Sequence, residues 1–482
     1  LTSSNILPLG KMQVNLLLRS LMIIFVSEII STDMWQTIDD SIIAASDFIG
    51  GYPLFTVLIG GGLVLLVYSG FAPFRYLGRS VAALRMKDNG TAGQISSFEA
   101  LMGAVAATIG MGNIAGVAIA LSMGGPGAIF WLWVSAVVGM ATKFFEGTLS
   151  QMYRGRDSRG ELQGGPMYMI VEGLGRKWRP MAVFFSAMGL VGTLCLYQSN
   201  QLVESIDTVF FASQGESLST VGRLCFGIGI TVVVATVILG GIRRIARLAT
   251  RMVPMMIAAY FMLVVYIVAT HLSEVPDVFA AIFREAFSLR AGIGGLLGVA
   301  LIGARRAASV NEAGVGTASM MHGASRTSEP VREGFVAMLG PLLDSGIVCT
   351  LTATAILLTG VYDVEGVKGL NIALNAFDAA MPGVGGYLLL AIVVVFAFST
   401  MFSYSYYGTK CASFLFGAGS AKYYNLFFLA MLVVAAVIPL HTVVAVIDMS
   451  YALMALPTMF TLLRLAPKAK RALCDYIGRY DR

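Results

Sequence analysis

Charged residues are scarce in this sequence, at 12% of 482 residues, whereas hydrophobic residues make up 57% and the mean hydropathy is +0.79. Soluble domains carry about 25% charged residues, so this composition excludes a soluble globular protein. We therefore predict an all-α polytopic membrane protein, in which each span needs about 20 apolar residues.

Cysteine and histidine are also few, and no catalytic pattern uses them. The sequence has no C-x-x-C pair, no Ser-His-Asp arrangement and no phosphate loop of the Gly-Lys-Ser type, so we predict that it is not an enzyme. The five cysteines fall mostly in apolar runs and are predicted to be inert core residues: Cys195, Cys225, Cys349, Cys411 and Cys474. The three histidines lie near predicted span ends and are predicted to be interfacial: His271, His322 and His441.

Eleven apolar runs are long enough to cross a bilayer. They lie near 53–73, 97–122, 127–149, 181–213, 219–240, 252–270, 294–321, 334–359, 386–414, 424–438 and 441–464.

Basic residues concentrate on one side of these spans. The connecting segments on that side, with the C-terminal segment, hold 24 lysines and arginines, and those on the other side hold three, Arg284, Arg290 and Lys368. The positive-inside rule then predicts that the N-terminus of the first span faces out and the C-terminus faces in. The net charge of +6 reports this orientation, so we expect no nucleic-acid partner.

The spans divide the chain into four predicted segments. Residues 1–33 are predicted to be an N-terminal extension or a signal-like segment outside the mature protein. Residues 34–96 form the first transmembrane helix and a cytoplasmic loop. Residues 97–464 form a ten-helix core, with one repeat at about 97–270 and a second at about 294–464. Residues 465–482 form a basic cytoplasmic tail.

Two glycine-rich stretches interrupt apolar runs, at 108–113 and at 311–316. Unpaired backbone groups are costly in lipid, so a broken helix is tolerated only where protein or a water-filled cavity surrounds it. Unwinding at 107–116 would free carbonyl oxygens for a small cation and amides for an anion. Alternatively, Gly112-x-x-x-Gly116 would be a small-residue packing face between helices. The paired breaks favour a transporter binding site.

Several polar residues fall inside predicted spans. Glu312 is expected to pair with Arg305 or Arg306, either as a structural lock or as a ligand contact, and Asp344 is expected to be a cation ligand or proton site. Lys143 and Glu146 have the (i, i+3) spacing of a structural pair. Ser399 and Thr400 are a weak ion-site signal, because such hydroxyls often bond to their own helix. The amide cluster 198–201 could line a site or hold helices together.

These motifs resemble the alanine or glycine:cation symporter family, also called sodium:alanine symporters, of the amino acid-polyamine-organocation superfamily. The resemblance runs from about residue 35 to 465. It rests on SSFEALM at 96–102 leading into IGMGNIAGVA at 109–118, on GGPGA at 124–128 with GMATK at 139–143, on GGPMY at 164–168, on NEAG at 311–314 running to Pro330-Val331-Arg332, and on FAFST at 396–400 with YYG at 406–408.

The resemblance implies a leucine-transporter-type fold of two inverted five-helix repeats preceded by one extra helix. It implies sodium-coupled symport of a small neutral amino acid such as alanine or glycine by alternating access, in a plasma membrane, with a bacterial inner membrane the natural location. Its partners would be the amino acid, the co-transported sodium ion and the lipid bilayer, with no obligate protein partner evident.

The family also implies a set of site residues. The substrate would be bound by Gly110, Met111, Gly112, Asn113, Gln198, Asn311, Glu312, Gly314 and Tyr404. One sodium would be bound by Ala106, Ile109, Ser399 and Thr400, and a second, less certain, by Thr108, Asn113 and Asp344.

The sequence departs from the family where Met111 replaces a frequent threonine and Tyr404 a frequent tryptophan. Both positions are expected to border the pocket, which raises another neutral amino acid, such as glutamine or serine, as an alternative substrate. A proton-coupled carrier titrating Asp344 or Glu312 is a second alternative, and a channel or sensor that does not accumulate substrate is a third.

Overall fold

A computed structural model describes residues 32–86, 93–211, 215–287, 298–303, 306, 310–362 and 369–480. The predicted N-terminal extension therefore lies almost wholly outside the described residues. Among them the regular elements are helices and one short hairpin, in which β1 (Gly155–Arg156) pairs antiparallel with β2 (Leu162–Gln163), and Ile95 forms an isolated parallel bridge with Ser325.

Nine helices in the described ranges are long and apolar enough to span a membrane, and one bent pair adds a tenth. Ten of the eleven predicted spans are thereby confirmed, and the eleventh, 294–321, lies partly outside the described residues. In chain order the helices are α1 (Asp40–Tyr68), the bent pair α2 (Ser97–Thr108) and α3 (Gly112–Gly124), α4 (Gly127–Met152), α5 (Arg176–Phe211), α6 (Thr220–Ile238), α7 (Gly241–Thr270), α8 (Val275–Ala286), α9 (Thr317–Gly323), α10 (Pro330–Thr359), α11 (Leu370–Ala380), α12 (Gly385–Phe416), α13 (Ala418–Ala435) and α14 (Leu440–Tyr480).

Shorter helices connect some of these elements: Ala72–Arg75, Leu77–Ala83, Pro166–Tyr168 and Met169–Leu174.

Helix α2 begins and ends for identifiable local reasons. The Ser96 hydroxyl accepts a hydrogen bond from the Glu99 N–H at 3.2 Å, and the Glu99 carboxylate accepts one from the Ser96 N–H at 2.7 Å. This capping box satisfies two N–H groups that the first turn leaves without helical partners. The helix stops at Thr108, before Gly110 and Gly112, and α3 continues at an angle of 54°.

The second break, between Asn311 and α9, is a turn that needs glycine. Gly314 and Gly316 have φ of +91° and +95°, a region that L-residues with a Cβ rarely adopt. A Cβ at Gly314 would also meet Met459 at 2.8 Å. Glu312 shares this unusual conformation, with φ of +51°, although it is not a glycine. The surrounding contacts must therefore hold it there.

Helix α4 lies at the centre of the bundle. In its most apolar window 72% of the residues are buried, against 28% in α6 and α7, so α4 packs against protein whereas α6 and α7 largely face lipid. On one side α4 shares an apolar core with α1, α10 and α14, in which Phe144 and Phe145 lie close to Phe335 and Leu462. Helix α1 is therefore the extra helix, and it packs on the outside of α4 and α14.

Two predictions from the sequence need correction. His322 is not interfacial: it is 1% exposed, and its Nδ1 lies 2.7 Å from Oε1 of Glu333. Cys225 and Cys474 are exposed rather than core residues, because each lies on an outer helix face. The cytoplasmic tail at 465–482 stays a prediction, and its residues 465–480 are helical and continue α14.

Candidate functional site

The two helix breaks meet at the same depth of the bundle. The cavity between them is bordered by Gly110, Gly112 and Gly116 of the first break and by Val310 and Glu312 of the second. A Cβ on Gly116 would contact the Val310 side chain at 3.7 Å, so the breaks lie directly against each other. The predicted pairing of the breaks at one site is therefore seen in the fold.

Asn113 stabilises the first break from within. Its Oδ1 accepts a hydrogen bond from the Gly110 N–H at 3.0 Å, and its Nδ2 donates to Sγ of Cys349 at 3.5 Å. Asn113 and Met111 are both fully buried, and neither borders the cavity. Met111 and Tyr404 were both expected to border the pocket, and of these two only Tyr404 lines it.

Hydroxyl and carbonyl oxygens come together beside the first break. Thr400 Oγ1 donates to the Ala106 carbonyl at 3.2 Å and to the Phe396 carbonyl at 3.0 Å. Ser399 Oγ donates to the Phe396 carbonyl at 2.9 Å, and Ile109 is the buried residue at which α2 ends. The predicted first sodium set therefore lies in one place, even though both hydroxyls also bond to their own helix.

A buried carboxylate lies on the other side of the break. Asp344 is fully buried and accepts a hydrogen bond from the Ser345 N–H, and Thr108 lies beside it. Its Oδ2 has no hydrogen-bond partner within the part of the chain that the structure describes. Asn113, the third residue predicted for this cation, instead directs its amide toward Gly110 and Cys349.

A charged clamp on α4 holds the second break. Lys143 Nζ donates to the Glu312 carbonyl at 3.3 Å, and Glu146 Oε1 accepts from the Gly314 N–H at 2.7 Å. The predicted Lys143–Glu146 pair is confirmed, with Nζ 3.5 Å from Oε2. The spacing of these two residues revealed the pair but not its contact with the break.

Within the second break, side chains satisfy the turn locally. The Glu312 carboxylate accepts a hydrogen bond from Thr317, and Asn311 Oδ1 accepts from the Ala313 N–H at 3.0 Å. No Glu312–Arg306 ion pair occurs among the described residues, and Arg305 lies outside them. Asn311 and Gly314 shape the turn but do not line the cavity, whereas Glu312 does.

The amide cluster on α5 divides between the two roles expected for it. Asn200 Nδ2 donates to the carbonyls of Ala435 and Ile438 at 3.0 and 2.7 Å, and Ser199 Oγ donates to that of Leu432 at 2.7 Å, so both hold helices together. Gln198 instead lines the cavity, and its Oε1 is buried without a partner among the described residues.

The rest of the cavity wall was missed from the sequence. It includes Tyr197, Ile447, Asp448 and Tyr451. Arg306, which the sequence offered only as a partner for Glu312, also lies in this wall. Tyr451 closes one side by a hydrogen bond of 2.5 Å between its hydroxyl and that of Tyr404. The cavity volume is about 60 Å³, room for roughly four water molecules at about 15 Å³ each.

A helical bundle with two broken helices meeting at a small, buried polar cavity defines a secondary transporter. In overall fold the chain is similar to the solved structure of MhsT in complex with L-phenylalanine, with a TM-score of 0.55 and 12% identity over 79% of this chain and 98% of that one. The fold is therefore of the leucine-transporter type.

The chain belongs to the sodium:alanine symporter family, whose model matches residues 35–481. It is 36% identical to the sodium/alanine symporter AgcS of Methanococcus maripaludis over 87% of this chain and 93% of that protein. It is 31% identical to the probable sodium/glutamine symporter GlnT of Bacillus subtilis over 92% of this chain and 91% of that protein. It is thus a multi-pass membrane transporter.

Proposed function

We propose that this protein carries a small neutral amino acid together with sodium across the plasma membrane by alternating access. The observation that carries the proposal is the junction of the first break with α12, where Thr400 Oγ1 lies 3.2 Å from the Ala106 carbonyl next to the cavity. An ion at this junction would touch the same backbone that borders the substrate. Binding of the two would then be coupled through one segment.

The proposed substrate contacts follow from the cavity wall. The N–H of Gly112, at the start of α3, has no partner within its own helix and would receive the substrate carboxylate. Gln198 would contribute a side-chain hydrogen bond, and Tyr404 would cover the substrate side chain. Sodium would be bound by Ala106, Ile109, Ser399 and Thr400.

The small volume of the cavity, about 60 Å³, supports alanine, glycine or serine as the substrate. The polar wall of Tyr197, Arg306 and Asp448 favours a hydroxyl-bearing side chain such as that of serine over a methyl group. Glutamine, which the name of one relative mentions, would require the cavity to expand.

The side rich in lysine and arginine is proposed to face the cytoplasm, with the N-terminus of α1 outside and a bacterial inner membrane as the location. Inward movement of one sodium ion down a negative membrane potential supplies about 2.3 kcal/mol per 100 mV.

We propose separately that the transporter has a second cation site. The Asp344 carboxylate, with Thr108 beside it, would bind a second sodium ion or carry a proton. A proton-coupled carrier would keep its uptake when sodium is removed and would lose it when the proton gradient is abolished.

The experiment is uptake of radiolabelled alanine, glycine, serine and glutamine into proteoliposomes, with an inward sodium gradient and with choline in place of sodium. We expect sodium-dependent accumulation of at least one small amino acid. Equal uptake in sodium and in choline would contradict sodium coupling.

The matched variants are Thr400→Val, which removes the hydroxyl beside Ala106, and Thr354→Val. Among the described residues, the Thr354 hydroxyl bonds only to the carbonyl of Thr350 on its own helix, at 2.8 Å. Thr400→Val should raise the half-saturating sodium concentration about tenfold or more, and Thr354→Val should leave it unchanged. Equal sodium dependence in the two variants would remove Thr400 from the ion site.

A further inference from the structure

A second cavity opens at the basic end of the bundle. Its volume is about 400 Å³, against about 60 Å³ for the central cavity. We call it the vestibule. It is bordered by the hairpin, by the start of α7 and by the last turns of α12, and the residues used below are Asp157, Arg159, Glu161, Arg243, Tyr406 and Lys410.

Helix α12 runs past both cavities. It places Thr400 at the ion junction, Tyr404 in the central cavity, and Tyr406 and Lys410 in the vestibule. At 1.5 Å per residue, Thr400 and Lys410 are about 15 Å apart along the helix. Tyr407 lies between the cavities, with its ring centroid 5.5 Å from that of Tyr404 and 6.3 Å from that of Tyr406. The Tyr407 ring thus contacts both the tyrosine of the central cavity and the tyrosine of the vestibule.

The vestibule has surplus hydrogen-bond donors. Lys410 Nζ lies 4.9 Å from the centre of the Tyr406 ring. No hydrogen bond or ion pair is found for the side chains of Lys410, Arg159 or Arg243 within the described residues. Tyr406 is 5% exposed, and its hydroxyl has no partner among those residues.

The acidic side chains, in contrast, are already engaged. Asp157 Oδ1 accepts from the N–H groups of Arg159 and Glu161 at 2.9 and 3.1 Å, and its Oδ2 accepts from Gln163 at 2.8 Å. Glu161 Oε2 accepts from Gln94 at 3.0 Å. The three cations Lys410, Arg159 and Arg243 and the two acids Asp157 and Glu161 give the vestibule a net charge of +1. This charge would be neutralised by one bound carboxylate. The two acids would repel a multiply charged anion and tolerate a nearby ammonium group.

We propose that the vestibule binds a free amino acid by its carboxylate, with the Lys410 ammonium as the positioning group. It would be a station on the path by which the transported amino acid leaves the central cavity. This role rests on the proposed function, because it takes the amino acid from that transport cycle. The binding site itself can be tested without transport.

The test uses a cysteine reporter in the vestibule. Ser413 lies three residues after Lys410 and borders the same space. Ser413→Cys is made with Cys225→Ser and Cys474→Ser, which remove the exposed cysteines and leave three buried ones. The rate of modification by N-ethylmaleimide is measured on purified full-length protein in sodium-free buffer, with L-alanine, propionate, alaninamide or inorganic phosphate added. If the Ser413→Cys protein does not fold, Asn425→Cys on the opposite wall serves as the reporter.

L-alanine should slow the modification most, propionate less, and alaninamide not at all. Lys410→Gln should raise the half-protecting alanine concentration at least tenfold. Lys422→Gln is the matched control, because Lys422 Nζ lies 4.8 Å from the centre of the Tyr423 ring but does not border the vestibule, and it should leave protection unchanged.

The outcomes separate the two proposals. Absence of protection by alanine, protection by phosphate equal to that by alanine, or protection unaffected by Lys410→Gln would each overturn the vestibule site, even in a protein that transports normally. Protection by alanine without any sodium-driven uptake would leave the site standing and remove the proposed function. In proteoliposomes, Lys410→Gln should also raise the internal alanine concentration that half-saturates exchange, with the external KM unchanged.

Discussion

The substitution Gly110→Ala tests the proposed sodium site at the ion junction, because the added Cβ would clash with a single atom, Oγ1 of Thr400. The Cβ would lie 2.5 Å from Thr400 Oγ1, whereas ordinary contact begins at 3.4 Å, so the hydroxyl must move by about 0.9 Å. Overpacking of this kind costs about 1–3 kcal/mol. Gly110 is not among the glycines with positive φ, so the backbone accepts alanine without strain. The free-energy cost of the substitution therefore arises from displacing the Thr400 hydroxyl.

If the displaced hydroxyl is a sodium ligand, that cost appears as a rise of about 5- to 150-fold in the half-saturating sodium concentration. The assay is alanine uptake into proteoliposomes over a range of sodium concentrations, with the thermal midpoint as the measure of folding. Gly229→Ala is the control, because a Cβ there meets no atom within 4 Å. A folded Gly110→Ala protein with native sodium dependence would show that Thr400 is not a sodium ligand.

Two further predictions concern the central cavity. Gly112→Leu should abolish alanine binding while leaving a folded, membrane-inserted protein, because the side chain would fill the space proposed for the carboxylate; undiminished uptake would assign Gly112-x-x-x-Gly116 to helix packing. Gln198→Ala should raise the KM for alanine with little change in thermal midpoint, whereas Asn200→Ala should lower the midpoint by removing two hydrogen bonds to backbone carbonyls, at about 1 kcal/mol each. If Gln198→Ala instead lowered the thermal midpoint and Asn200→Ala raised the KM, Asn200 rather than Gln198 would be the residue that contacts the substrate.

The features predicted most reliably from the sequence are those that cost free energy inside a lipid bilayer. Glycines and polar groups inside apolar runs are tolerated for few reasons, so the breaks at 108–113 and 311–316 could be located. The hydroxyls of Ser399 and Thr400 were only a weak signal by themselves, and the family resemblance assigned them to an ion site. The positions of ten spans followed from hydropathy alone.

Side-chain direction could not be predicted in the same way. The carboxamide of Asn113 could face a ligand or its own backbone, and only the bend of 54° between α2 and α3 turns it toward Gly110. The contributions of Asp448 and Tyr451 were missed because they depend on which face of α14 meets the breaks. His322 was misplaced because its burial depends on the packing of α9 against α4 and α2, which no local pattern reveals.

The unbroken course of α12 has a consequence for how the protein tolerates change. Because α12 is one continuous helix, it fixes the angles about its axis at which Thr400, Tyr404 and Lys410 project. Inserting one residue between Thr400 and Tyr404 would rotate everything beyond it by about 100° and turn Tyr404 and Lys410 away from their cavities together. Length changes within this stretch should therefore be far more disruptive than substitutions, and variation in length is expected in the loops at either end of α12.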